Sequence, residues 1–101
     1  MDIKQLTEEI HRFVSSKGWY AENSKRPQTP RNLAISLALE AAEILEHFQW
    51  REEIKEKEEL ASELADVSLY LLQLASLTDI DLEKAILDKI EVNITREWDQ
   101  D

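Results

Sequence analysis

Two pairs of acidic residues stand inside the most hydrophobic segments of the chain. They are Glu40-Ala-Ala-Glu43 and Glu63-Leu-Ala-Asp66. In an α-helix, residues three positions apart share a face, with Cβ atoms about 5–6 Å from each other, so each pair would hold two like charges side by side. Charges removed from water need a partner or a metal ion. Two such faces brought together would offer four oxygen ligands, the environment that Mg²⁺ prefers.

The alternative interpretation is a pair of solvated acidic faces, because the chain holds 22 Asp and Glu residues and such pairs arise by chance. Apolar neighbours favour the metal site, since they imply burial: Leu39, Ala41, Ala42, Leu64, Ala65 and Val67. The Glu-x-x-His motif of di-iron bundles is missing. Ligation by carboxylates alone favours Mg²⁺ or Mn²⁺ over iron or zinc.

The hydrophobic spacing predicts an all-α chain of four helices. We expect them over residues 2–17, 30–50, 56–78 and 82–97, with a loop over 18–30. Residues 51–59 would form a charged connector or a solvated first turn. Lys17-Gly18 should end the first helix, and Thr29 and Asp81 should cap the second and fourth. No segment alternates with the period of a strand, so the prediction contains no sheet.

The second helix is apolar nearly all round, which is typical of a buried helix. We therefore expect Glu40 and Glu43 to be shielded from water, unlike Glu46. Predicted core positions are Leu33, Leu37, Ile44 and Phe48 on the second helix, Leu60, Leu64, Val67, Leu71, Leu74 and Leu77 on the third, and Leu82, Ile86, Ile90 and Ile94 on the fourth. A fold this small would need a partner chain to cover so much apolar surface.

Length and composition bound the class of protein. The 101 residues suit one domain over 1–101, and the absence of cysteine excludes disulfides and thiolate metal sites. The sequence contains no run of about 18 apolar residues, so it predicts no membrane span. The net charge of -10 argues against a nucleic-acid partner, although a nucleotide could bind through divalent metal. We expect a cytoplasmic protein.

Other candidate groups have two interpretations each. Lys89, Asn93 and Arg96 share one face of the last helix and could contact phosphates, or they could form a solvated face. Trp19, Trp50 and Tyr70 could stack on a nucleobase, or they could anchor helix ends. His11 could touch substrate or be a surface histidine. The lone glycine, Gly18, excludes a glycine-rich phosphate loop.

The acidic pattern resembles the signature of the all-α NTP pyrophosphohydrolases, the MazG-like superfamily. Three segments are similar to its compact dCTP pyrophosphatase branch: Thr29-Pro30-Arg31-Asn32-Leu33, Glu43-Ile44-Leu45-Glu46-His47-Phe48-Gln49-Trp50 and Glu63-Leu64-Ala65-Asp66-Val67-Ser68-Leu69-Tyr70-Leu71. The spacing of Lys89, Asn93 and Arg96 is similar as well. The resemblance implies a four-helix bundle completed by oligomerisation, as a homodimer or a dimer of dimers.

The resemblance also implies residue roles. Its metal ligands would be Glu40, Glu43, Glu63 and Asp66, with Mg²⁺ as cofactor and Mn²⁺ as a possible substitute. Its phosphate contacts would be Lys89, Asn93 and Arg96. Its base-binding positions would be His11, Trp19, Asn32, Trp50 and Tyr70.

The implied reaction is attack of water on the α-phosphorus of a dNTP such as dCTP, releasing dNMP and pyrophosphate, with Glu43 or Glu63 as the base. This would clean the nucleotide pool. The first alternative is a non-catalytic helical module that binds a nucleotide or a metal for regulation. A carboxylate-bridged redox bundle and a purely structural helical protein are the others.

Overall fold

A computed structural model describes residues 1–96 of the chain. It contains α1 (Ile3–Ser16), α2 (Pro30–Glu46), α3 (Lys57–Leu77) and α4 (Leu82–Thr95), and no strand within that range. The all-α prediction is confirmed, and most helix boundaries fall within two residues of those expected. The predicted end of α4 at residue 97 lies outside the described residues.

The ends of α1 follow from local hydrogen bonds. The Asp2 side chain accepts from the backbone N–H of Gln5, and the Gln5 side chain accepts from the backbone N–H of Asp2. At the other end Gly18 has φ of 72°, and the Trp19 N–H donates to the Val14 carbonyl. A glycine with positive φ just past the last turn satisfies carbonyls that the helix leaves open. The predicted stop at Lys17-Gly18 is confirmed.

The start of α2 agrees with the sequence, but its end does not. Thr29 Oγ1 accepts from the Asn32 N–H at 3.2 Å, a cap that typically contributes about 1 kcal/mol. The helix ends at Glu46, so the predicted extension to Trp50 is wrong. The N–H groups of His47 and Phe48 donate to carbonyls three residues back, which tightens the chain into a turn.

A short turn joins α3 to α4. Asp79 has φ of 59°, and the Ile80 N–H reaches back to the Ala75 carbonyl at 2.8 Å. Asp81 then caps α4, as predicted, because its side chain accepts from the Lys84 N–H at 3.1 Å. These bonds close α3 and redirect the chain within four residues.

Helix α3 lies at the centre, between α1 and α2. Ile10 and Val14 of α1 pack with Leu72 of α3 in one buried cluster. The predicted core stripe of α3 is only partly correct. Its buried residues are Leu60, Leu72, Gln73 and Ala75, whereas Leu64, Leu71 and Leu77 are 40–50% exposed. The reason is that α2 meets α3 along the stripe carrying Glu63, Asp66 and Tyr70, where His47 contacts Glu63 and the charges of Glu40 and Glu43 act on Tyr70.

Within a single chain much of the apolar surface of α2 and α4 stays uncovered. The prediction that α2 is buried all round is wrong for the protomer: Leu33 is buried, but Leu39 and Leu45 are 64% and 69% exposed. Helix α4 has no buried residue. Of its predicted core positions Leu82 packs on the core, while Ile86, Ile90 and Ile94 are exposed. The radius of gyration, 16.5 Å, exceeds the ~13 Å of a compact chain of this length.

By length and composition alone, α3 is apolar enough to cross a membrane. It is also the helix against which α1 and α2 pack. The helix carries Glu63 and Asp66 at its middle.

Candidate functional site

The antiparallel packing of α2 and α3 brings the two acidic pairs together. We call Glu40, Glu43, Glu63 and Asp66 the acidic cluster. Burial raises the pKa of Glu40, and the negative charges of Glu43, Asp66 and Glu63 raise it further. Glu40 Oε2 is buried and has no hydrogen-bond partner among the described residues. The raised pKa of Glu40 indicates that it lies within electrostatic reach of the other three carboxylates, and no cation among the described residues offsets them.

The acidic cluster fits a divalent cation by its chemistry. It offers only carboxylate oxygens, as Mg²⁺ and Mn²⁺ prefer, and the orphaned Glu40 oxygen is a ready ligand. As the side chains stand, no three acidic or histidine groups in residues 1–96 converge as a ready metal site. One carboxylate oxygen of Glu63 is engaged by His47, so side chains of the acidic cluster must rotate before they can bind a cation together. Glu43 is exposed, which corrects the expectation that both acids of α2 are shielded.

His47 is a residue of this site that the sequence did not single out. Its Nε2 lies 2.6 Å from Glu63 Oε2, and the two side chains are only 9% and 19% exposed. The contact joins the C-cap of α2 to α3. The sequence signal that could have identified His47 is its position one helical turn after Glu43, on the same face of α2. His47 thus fixes one oxygen of the acidic cluster.

Replacing His47 by leucine should lower the free energy of unfolding by about 1–3 kcal/mol, because it leaves a largely buried carboxylate unpaired. Urea denaturation in metal-free buffer measures the change. His47→Gln, which keeps a donor of similar reach, should recover part of the loss. Equal midpoints for the wild type and both variants would contradict the interpretation.

Tyr70 links the acidic cluster to a neighbouring cavity. Burial raises the pKa of its hydroxyl, and the charges of Glu40, Asp66 and Glu43 raise it further. Tyr70 also lines a cavity of about 630 Å³, and so do Trp19 and Asn32. The structure therefore gathers three of the five predicted base-binding residues beside the acidic cluster. The cavity has the size and the aromatic lining of a small-molecule site.

The loop between α1 and α2 forms one wall of this cavity. The Gln28 N–H donates to the Trp19 carbonyl at 2.9 Å, and Asn32 Nδ2 donates to the Pro27 carbonyl at 2.9 Å. Lys25 and Arg26 of the same loop also line the cavity. Sequence reasoning missed these two cations, because nothing in the spacing of a loop shows which side its residues face.

The remaining predicted residues lie elsewhere. His11 lies between α1 and α3, with Nδ1 2.6 Å from the Tyr20 hydroxyl and Nε2 2.7 Å from Ser76 Oγ, beside a second cavity of about 520 Å³. Trp50 is 88% exposed after the end of α2. Lys89, Asn93 and Arg96 are exposed along α4 and at its C-cap. In the protomer, neither Lys89 nor Asn93 forms an ion pair or hydrogen bond with the acidic cluster.

Comparison with known proteins agrees with this architecture. A sequence model of the MazG-like family matches residues 35–101, which include the acidic cluster. The chain belongs to the MazG-like family.

Named relatives show which proteins the chain is similar to. The chain is 33% identical over 104 aligned positions to dCTP pyrophosphatase 1 of Rattus norvegicus and of Homo sapiens, covering 94% of this chain. It spans 56% of the length of those relatives. A crystal structure of a pyrophosphatase from Archaeoglobus fulgidus aligns with a TM-score of 0.74 at 36% identity, covering 89% of this chain and 86% of the other.

Proposed function

We propose that this protein hydrolyses a nucleoside triphosphate to the monophosphate and pyrophosphate, with a deoxynucleotide such as dCTP as substrate. One observation carries the proposal: Tyr70 lines the aromatic cavity and lies within electrostatic reach of Glu40, Glu43 and Asp66 of the acidic cluster. The names of the related proteins support the same reaction. The expected role is cleaning of the nucleotide pool, and the expected compartment is the cytoplasm.

The acidic cluster is the proposed cation site. Glu40, Glu43, Glu63 and Asp66 would hold Mg²⁺, which would neutralise the triphosphate charge and polarise its phosphoryl oxygens. Glu40 supplies an oxygen that has no other partner in the described chain. His47 holds one oxygen of Glu63, so it limits the orientations that Glu63 can adopt.

Glu43 is the proposed base, because its carboxylate is exposed while Glu63 is engaged by His47. A carboxylate oxygen of Glu43 would accept a proton from water as the water oxygen bonds to the α-phosphorus. The bond between the α-phosphorus and the oxygen bridging to the β-phosphorus then breaks, and pyrophosphate leaves with the electron pair.

The proposed substrate contacts follow the cavity and the resemblance. Trp19, Asn32 and Tyr70 line the cavity and would surround the base. His11 and Trp50 stay in the proposal as base-binding residues, and Lys89, Asn93 and Arg96 as phosphate-binding residues. These five rest on the resemblance of their positions, not on contacts within the protomer.

The functional unit in this proposal is a homodimer or homotetramer, because association would cover the apolar faces of α2 and α4. Sedimentation velocity should give a mass of two or four chains. Ile90→Glu places a charge on the exposed apolar face of α4 and should shift the protein toward monomer at micromolar concentration. Glu91→Gln, on the same helix, should not. A monomeric wild type would contradict this assembly.

Product analysis tests the reaction. A panel of dNTPs and NTPs is incubated with the protein in Mg²⁺ or EDTA, and the phosphorus products are separated. Monophosphate plus pyrophosphate, formed with Mg²⁺ and lost with EDTA, is the expected result. Orthophosphate would show that a different bond is cut. No product from any nucleotide would favour a binding module instead.

A further inference from the structure

Gln73 is an anomaly in the interior of the protein. It is 2% exposed, as deeply buried as Val14, yet its Oε1 has no hydrogen-bond partner in the described part of the chain. Buried carboxamides are normally satisfied, so a buried acceptor without a partner calls for an explanation beyond core packing. An apolar side chain of the same volume would fill this position without leaving a polar atom unpaired.

Within residues 1–96, the one side-chain hydrogen bond of Gln73 leads to the aromatic cavity. Its Nε2 donates to Gln28 Oε1 at 3.2 Å, across a sequence separation of 45 residues. Gln28 lines the cavity together with Trp19, Asn32 and Tyr70. The Gln28 backbone is also anchored, since its N–H donates to the Trp19 carbonyl at 2.9 Å. A fixed backbone and a bond to a buried partner together restrict the Gln28 carboxamide to a narrow range of positions.

The direction of the Gln73 bond decides what Gln28 can offer. A carboxamide has one acceptor oxygen and one donor nitrogen. Because Gln28 Oε1 already accepts a bond from Gln73, its Nε2 keeps both of its N–H groups for another partner, and no other described residue makes a hydrogen bond to it. Gln28 lines the aromatic cavity and has an unengaged donor, and the edge of a stacked base would need such a polar partner.

We propose that Gln28 is a specificity-determining residue that donates from Nε2 to the edge of the bound nucleobase, and that Gln73 is a positioning residue that keeps this donor available. This rests on the proposed function, because the base is that of the nucleotide substrate. The donor would distinguish the two pyrimidines at N3, since N3 of cytosine accepts whereas N3 of uracil carries a hydrogen; the carbonyl oxygens accept in both bases. The pair of glutamines thus favours cytosine nucleotides.

Binding of dCMP and dUMP by isothermal titration calorimetry, with no metal present, tests the inference apart from turnover. The wild type should bind dCMP more tightly than dUMP. Gln28→Met and Gln73→Met should each lower that preference about three- to tenfold, the usual range for one neutral hydrogen bond. Asn23→Met makes the same kind of substitution on the same loop, outside the cavity lining, and should keep the preference. The melting temperature of Gln73→Met should stay at or above that of the wild type.

The outcomes are distinguishable from failure of the proposed function, because dCTP hydrolysis by the wild type is measured separately. A wild type that binds neither monophosphate, or binds both equally, overturns the inference. So does an unchanged preference in Gln28→Met. A lowered preference in Gln28→Met but not in Gln73→Met overturns the positioning role. Weakened binding of both monophosphates by the same factor would show a structural role only.

Discussion

Glu43→Ala should lower the rate of pyrophosphate release from dCTP by at least about 100-fold at saturating Mg²⁺, the range seen when a preorganised charge is removed from an active site. The variant removes one ligand of the acidic cluster and the proposed base. Folding should not suffer, because Glu43 is exposed and its charge raises the pKa of Glu40 by repulsion. A coupled pyrophosphate assay gives kcat, and a melting curve verifies the fold.

Glu46→Ala is the matched control for that variant. Glu46 stands three residues further along α2, is exposed, and does not belong to the acidic cluster. Its turnover should stay within about twofold of the wild type, as is usual for surface substitutions away from a site. If the Glu43 and Glu46 variants keep the same high activity, the acidic cluster is not the catalytic site.

Glu40→Gln should raise the melting temperature of the metal-free protein and reduce the further rise that Mg²⁺ produces. Glutamine keeps the shape of the side chain but removes a charge that is desolvated and repelled by Glu43, Asp66 and Glu63. It also removes an anionic ligand, so Mg²⁺ should raise the melting temperature of the variant less than that of the wild type. Differential scanning fluorimetry in EDTA and in a series of Mg²⁺ concentrations measures both effects.

Glu40→Gln also tests in which direction the stability of the metal-free protein changes with pH. A carboxyl with a raised pKa binds more protons in the folded than in the unfolded protein, so its contribution to stability falls as pH rises. The advantage of metal-free Glu40→Gln over the wild type should therefore grow from the ordinary Glu value of 4.5 up through the raised pKa. Equal melting temperatures of wild type and Glu40→Gln at neutral pH would contradict the repulsion.

Much of the fold could be predicted because helix ends depend on nearby residues. Gly18 with its positive φ ends α1, and the side chains of Thr29 and Asp81 cap α2 and α4. The end of α2 could not be predicted, since the helix-forming pattern continues to Trp50. There the chain tightens into a turn at His47, whose side chain contacts α3.

Burial was harder to predict than helix position. The leucine stripe of α3 looks like the stronger core, yet Leu64 and Leu71 are half exposed while Gln73 is fully buried. Periodicity shows which residues share a face, but it does not show which face a neighbouring helix covers. In the proposed assembly a second chain covers the exposed apolar residues of α2 and α4. A protomer alone therefore does not bury every position that the hydrophobic pattern assigns to a core.

The amino-acid sequence by itself determined the helices and the two acidic pairs, because capping bonds and i, i+3 spacing act within one or two turns. Only the tertiary structure decided which side chains meet across helices. His47 and Glu63 are 16 residues apart in sequence, and Gln28 and Gln73 are 45 apart. The first contact depends on how α2 is rotated against α3, and the second on how the loop before α2 lies on α3; both are set by the packing of whole faces rather than by any local pattern.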